Sequence, residues 1–324
     1  MHYSQQEKYE LIQLVEQSDL GVIRTLRELK INKTTFYNWY KSYSDYGYEG
    51  LARKASNRQG SWNKINELDR DKVVEIALEK PELSSREVAW HITDAYSYYI
   101  SESSVYRILK ANGLISVPSF RIRSASDSFH DKTTQVNQMW QTDFTYFKIF
   151  GWGWYYLSTI LDDYSRFIIN WKLCSSMKAE DVKNTLDEAL LARNMPENRR
   201  PKLLSDNGSC YISHELADYL QVKNMKHVRG KPLHPQTQGK IERYHRSMKN
   251  VVKLDNYFSP GQLEKKLKEF VEYYNYKRYH ESLQNVTPAE VYYGTAERKL
   301  KQRSRIKMKT LKARKKQYQK INLT

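Results

Sequence analysis

The chain has 324 residues, 40% of them apolar, enough for about two domains with real cores. Its 54 Lys and Arg stand against 37 Asp and Glu, a formal charge of +17 that points first to nucleic acid or an anionic membrane surface. No apolar run approaches the roughly 20 residues of a membrane span, the opening MHYSQQEKYELIQLVEQ lacks a signal-peptide core, and two cysteines without CxxC spacing exclude a disulfide scaffold or Cys-rich zinc module. These features fit a reducing cytoplasm.

The first segment reads as a small helical unit, residues 1–52. Ser4 and Glu7 have the spacing of a capping box, and Leu11, Leu14 and Val15 follow on one helical face. A second helix spans roughly 21–29. Asn32 can cap a third, with Phe36, Trp39, Tyr40 and Tyr43 at helical spacing. This is a helix-turn-helix layout, which leaves Thr34, Thr35, Tyr37, Asn38 and Lys41 outward to meet DNA; an ordinary helical hairpin has the same pattern. The layout recurs over residues 60–117. There Ser84 and Glu87 open one helix, and Ser101 caps another whose apolar stripe is Val105, Ile108 and Leu109. Gly113 ends that helix, and Ser103, Ser104 and Arg107 are expected to be exposed. Polar stretches around 52–64 and 116–135 read as linkers.

From residue 136 the pattern turns to strands. NQMWQTDFTYFKIF alternates, and WYYLSTILDDYSRFIINWKL reads as two strands joined at DDYS. Short strands at KLLS and KHVR then alternate with helices, the last opening at Thr287-Pro288. Strands flanked by helices define an α/β core over 136–295. The charge is concentrated: residues 297–324 hold twelve Lys and Arg against Glu297 alone, and 221–253 hold nine against Glu242 alone. Residues 296–324 read as a basic C-terminal tail.

Three acids stand out. Period two sets Asp143 on the face opposite Trp140, Phe144 and Tyr146, so the aromatic face can bury and leave the Asp face for chemistry. Asp206 ends the strand KLLS before Asn207-Gly208. Glu242 lies on a helix, followed on one side by His245, Arg246 and Lys249, while Ile241, Tyr244, Met248 and Val252 form a separate apolar stripe. Acids from a strand, a strand end and a helix can converge on hard divalent cations such as Mg²⁺ or Mn²⁺, the equipment of in-line phosphoryl displacement. Asp162 and Asp163 fall at a hairpin turn, where Asp commonly bonds its own backbone. His234 suits loop positioning or a phosphate contact, Gln236 and Gln238 suit DNA contacts, and Cys210 lacks the His partner of a catalytic thiol.

With 35 residues between Asp206 and Glu242, the chain resembles the retroviral-integrase-like DDE transposases of bacterial insertion sequences. WQTDFT, LDDYSR, LLSDNGS, HPQTQGKIERYHRSMK and YYNYKRYHESLQNVTPAEVYYG carry the resemblance, in family order. It implies a ribonuclease H-like core with Asp143, Asp206 and Glu242 as catalytic metal ligands, and Lys249 lining the DNA beside the catalytic helix. It also implies a cytoplasmic, nucleoid-associated transposase that binds element terminal repeats and target DNA as a homo-oligomer. The retroviral N-terminal zinc module is not matched, since no cysteine precedes Cys174. A plain ribonuclease H-like nuclease and a catalytically silent DNA-binding regulator are the alternatives.

Overall fold

The computed structural model describes residues 3–52, 61–115, 133–230, 239–253 and 255–321. It forms two compact units, Met1–Lys64 and Ile65–Thr324.

The first unit holds α1 (Gln5–Glu16), α2 (Val22–Glu28) and α3 (Lys33–Tyr46). Ser4 and Glu7 make the reciprocal capping box, and Asn32 accepts from Thr34 N at the start of α3. The core is Ile12, Val15, Leu26, Ile31, Phe36 and Leu51. The expected face of α1 shifts by a fraction of a turn. Ile12 and Val15 are buried, while Leu14 is turned outward.

The second unit opens with α4 (Glu67–Glu79), α5 (Ser85–Tyr96) and α6 (Glu102–Ala111), which close on Val73, Ile76, Val88, Ile92, Val105 and Leu109. Ser84 and Ser101 cap α5 and α6, and Gly113 ends α6 with φ +68°. The sheet follows: β1 (Met139–Ile149), β2 (Gly153–Asp162), β3 (Ile168–Cys174), β4 (Lys202–Ser205) and β5 (His227–Arg229). Its order is β3-β2-β1-β4-β5. The pairs β1–β2 and β2–β3 are antiparallel; β1–β4 and β4–β5 are parallel. With helices on both faces this is the ribonuclease H-like α/β arrangement.

Strand alternation divides the core in two. Trp140, Ile160 and Leu203 pack with α7 (Ala179–Ala192) and α8 (His214–Val222). Phe147, Ile149, Leu157, Leu161 and Ile168 pack with α9 (Gly239–Val252) and α10 (Pro260–Tyr276). Asn275 of α10 fastens that layer by donating to Ile168 O and accepting from Ile168 N. The Asp143 face of β1 is therefore covered along its length, whereas the Trp140 face is covered only at its start, with Tyr146 and Lys148 exposed. The sequence expectation that the Asp143 face would stay open is corrected: Gln141, Thr145, Phe147 and Ile149 on that face are all buried, and only Asp143 is partly accessible.

A short helix, α11 (Pro288–Tyr292), precedes α12 (Ala296–Ile321). The segment read as a tail is thus a 26-residue helix, about 39 Å long at 1.5 Å per residue. Arg303, Ile306, Thr310 and Arg314 form its buried stripe. Arg303 reaches both oxygens of Asp94 on α5 at 2.7 and 2.8 Å, and its plane lies over Trp90. Lys299 and Tyr279 converge on the same carboxylate. Sequence periodicity obscured this docking because the inward positions are mostly polar. Arginine stems and a hydroxyl bury here only because each finds a partner.

Candidate active site and nucleic-acid interface

The β1–β4 register sets the first two acids side by side. Gln141 pairs with Leu204 in a parallel ladder, so two further residues along each chain bring Asp143 abreast of Asp206. Asp143 Oδ1 accepts from Phe144 N at 2.8 Å, and its Oδ2 is 3.3 Å from His245 Nδ1. Asp206 lies just past β4 in a tight turn, its Oδ1 accepting from Gly208 N at 2.8 Å. A Cβ at Gly208 would stand 3.0 Å from that oxygen, which explains the glycine. Partial burial and the neighbouring Asp143 charge push the Asp206 carboxyl above its usual range, opposed by the Gly208 N–H.

Glu242 sits exposed in the first turn of α9. That turn is fixed to β1 by residues flanking the acids. Buried Gln141 accepts from Ile241 N at 3.1 Å and donates to Asp163 at 2.6 Å. Lys240 pairs with the same Asp163 at 2.6 Å. Asp163 is therefore a bracket between strand and helix, a role the turn reading missed, because its partner Lys240 lies 77 positions away in the chain. Asp162 does behave as a turn residue, accepting from Ser165 N, Ser165 Oγ and Asn137 N.

Two of the three acids are brought together, and the third stands on a helix anchored to the same strand. Among the described residues, no three His, Cys, Asp or Glu side chains converge closely enough to hold a metal ion. The chemistry of the pair nevertheless fits a hard cation: two carboxylates from adjacent strands repel each other, and a divalent ion relieves that repulsion.

The basic residues of α9 separate. Arg246 is exposed, whereas His245, expected on the open face, is buried against Asp143. Lys249 lies over the Tyr146 ring with Nζ 4.9 Å from its centroid. Burial and Lys253 hold its amine below the usual lysine range, partly offset by Asp143. Gln236 and Gln238, with His234, fall outside the described residues. Burial pushes the Cys210 thiol up to about 11, which disarms it as a nucleophile at neutral pH. Ser205 and His227, not singled out in the sequence, share a 2.8 Å hydrogen bond behind the Asp206 turn.

In the helical units, Thr34, Thr35, Tyr37, Asn38 and Lys41 are all exposed on α3. On α6, Ser103 and Arg107 are exposed, but Ser104 is half-buried, its hydroxyl 2.8 Å from that of Ser101. The expectation of an exposed Ser104 is corrected: it belongs to the helix cap.

Comparison with known proteins agrees with this architecture. Two integrase core domain families match residues 133–235 and 223–288, and a homeodomain-like domain matches 35–109. The chain therefore carries an integrase core domain, with a homeodomain-like region ahead of it. Among its homologues are two insertion-sequence transposases. Transposase InsF for insertion sequence IS3A of Escherichia coli (strain K12) is 34% identical over 94 residues, 29% of this chain and 31% of the relative. The transposase for insertion sequence element IS629 of Shigella sonnei is 36% identical over 80 residues, 24% of this chain and 25% of the relative. The Gag-Pro-Pol polyprotein of squirrel monkey retrovirus is 32% identical over 117 residues, 36% of this chain and only 6% of that polyprotein. Of solved structures, the HTLV-2 integrase catalytic core domain in complex with magnesium aligns at 18% identity and TM-score 0.39, over 49% of this chain and 97% of that one. No helix among the described residues is long and apolar enough to cross a membrane.

Proposed function

We propose that the chain is a DNA transposase that binds the ends of a mobile element, cuts a strand there and joins the freed 3′-OH to target DNA. The observation that carries this reading is the placement of Asp143 beside Asp206 by strand register, with Glu242 on a helix anchored to the same strand, inside an integrase core domain. Asp143, Asp206 and Glu242 are the residues we assign to hold Mg²⁺ or Mn²⁺. A bound divalent cation supplies activation of the attacking oxygen and stabilisation of the leaving one.

The rest of the site positions these groups. His245 orients Asp143, and Gly208 fixes the Asp206 carboxylate through its N–H. Gln141, Asp163 and Lys240 hold the Glu242 turn against β1. Lys249 and Arg246 stand on the same helix to bind phosphate oxygens, which sets strand register without reading sequence. Sequence reading falls to α3, through Thr34, Thr35 and Lys41, and to α6, through Ser103 and Arg107, as in other helix-turn-helix proteins. Cutting and joining are both displacements at phosphorus: one P–O bond forms as another breaks, and no covalent protein–DNA link is needed. Two element ends must meet, so we assign a homo-oligomer on DNA, acting at the chromosome in the cytoplasm.

The test is incubation of the full chain and Mg²⁺ with duplexes copied from the DNA flanking its gene, together with a plasmid target. Joined products are expected. Cut products without joining would make it a nuclease, and shifted but intact DNA a silent regulator.

A further inference from the structure

The sheet face that buries Trp140 and Ile160 under α7 and α8 is bare at the far end of the β1–β2 hairpin. Tyr146 and Trp154 lie there, 50% and 52% exposed, with ring centroids 5.4 Å apart in an edge-on arrangement. Lys148, paired with Trp154 across the ladder, places its Nζ 5.9 Å from the Trp154 centroid. Lys249 lies over Tyr146 and is also within reach of the Asp143 charge. Asp143 belongs to the opposite face of β1, and Lys249, which lies over Tyr146 and feels the Asp143 charge, links this strip of two rings and two lysines to the acid pair.

Two exposed rings in contact make a contiguous patch, the kind of surface that marks an interaction site. The composition decides which. Lysine is depleted from the cores of protein–protein interfaces, and here one lies over each ring. Rings that accept a base face, beside cations that accept phosphate, are the equipment of single-strand binding. A paired duplex keeps its base faces stacked inside, so the ligand has unpaired nucleotides. Cutting one strand near a duplex end leaves such nucleotides on the other strand. We propose that Tyr146 and Trp154, flanked by Lys148 and Lys249, are a stacking platform for the unpaired bases left opposite the strand that is cut at the acid pair. This inference rests on the DNA-processing reading above.

The experiment compares a duplex bearing a five-nucleotide single-stranded tail with its blunt counterpart, both bound to the full chain with Ca²⁺ replacing Mg²⁺. The wild type should prefer the tailed duplex by about five- to hundredfold, the effect of roughly one stacked base. The double variant Tyr146→Ala, Trp154→Ala should lose that preference yet keep its blunt-duplex affinity within about twofold. Tyr146→Phe with Trp154→Phe should retain it, because a phenyl ring still stacks. A tail carrying 5-iodouracil should crosslink to Tyr146 or Trp154 in the wild type, a measurement independent of any variant's folding. Equal affinity for both duplexes, a preference surviving in the alanine variant, or crosslinks only elsewhere would overturn the platform alone. So would self-association of the wild type that the alanine variant loses while tail preference stays, since the strip would then bind a second copy. Wild-type protein that binds neither duplex would defeat the transposase reading itself.

Discussion

Helices α1–α3 close on Ile12, Val15, Leu26 and Phe36 within a compact unit of their own, whereas α4–α6 close on Val73, Ile92 and Val105 inside the unit that also holds the sheet. The two share capped helices and an outward polar face. They differ in their attachment. The second is bound in by Asp94 of α5, which meets Arg303 and Lys299 of α12 and Tyr279 beyond α10. The turn into α6 is gripped as well: Tyr99 N donates to Thr310, and Arg314 donates to Tyr99 O at 2.9 Å. A shared local motif thus carries no information about its tether. The tether is set by one buried acid and a helix whose inward face is polar.

The largest effect is expected from Asp94→Ala. It leaves Arg303, whose side chain is 4% exposed, as an uncompensated buried cation. Removing one partner of such a pair costs about 3–5 kcal/mol. Denaturant unfolding of the full chain should show that loss in the larger unit only; a change below about 1 kcal/mol would mean the clamp is ornamental. Acid should mimic the variant. Although burial pushes the Asp94 carboxyl up, Arg303 and Lys299 hold it below its usual range on balance. Its stabilisation is therefore full above the ordinary carboxylate pKa of about 4 and is lost as pH falls through the lowered folded value.

Phe36→Ala tests the other side. A buried phenylalanine truncated to alanine costs about 3–5 kcal/mol, here confined to the first unit. Two separate thermal transitions should appear, the larger unit's unmoved; a joint shift of both would deny the first unit its independence. Smaller effects compare the two capping boxes. Ser4→Ala and Ser84→Ala should each cost about 0.5–2 kcal/mol, the first read in the small unit and the second in the large one.

The mildest test concerns the outward face of α12. Lys301, Arg305, Lys309, Lys312, Lys315 and Lys316 are exposed there, away from the docking stripe. Their replacement by Gln should leave stability nearly unchanged and flatten the dependence of log affinity on log salt. The slope should fall by about 0.9 for every phosphate that is no longer neutralised, with end preference intact. An unchanged slope would mean this face is merely solvated.

Much of this was legible in the sequence because it depends on short-range rules. The caps at Ser4, Asn32, Ser84 and Ser101, the start of α11 at Thr287-Pro288 and the stripe Ile241, Tyr244, Met248 follow from local chemistry and helical period. The three acids stood out through spacing and resemblance. What escaped depends on distant partners. His245 looks like one of several surface bases until β1 places Asp143 against it, and Asp163 looks like a turn residue until Lys240 arrives from 77 positions away. Covering the Asp143 face likewise required knowing that α9 and α10 pack over β1.

In the proposed transposase, Asp143 on β1 and Asp206 just past β4 perform the chemistry while other surfaces hold the DNA. The most direct measurement is strand joining by Asp206→Asn beside the wild type, in Mg²⁺, at concentrations where both saturate an end duplex. The side chain keeps its shape and its acceptor for Gly208 N but loses its charge. End binding should equal that of the wild type with joined and cut products both absent, and the wild type should be equally silent when the metal is chelated. Joining at near-normal rate by Asp206→Asn, or by the wild type in chelator, would contradict this role of the acid pair.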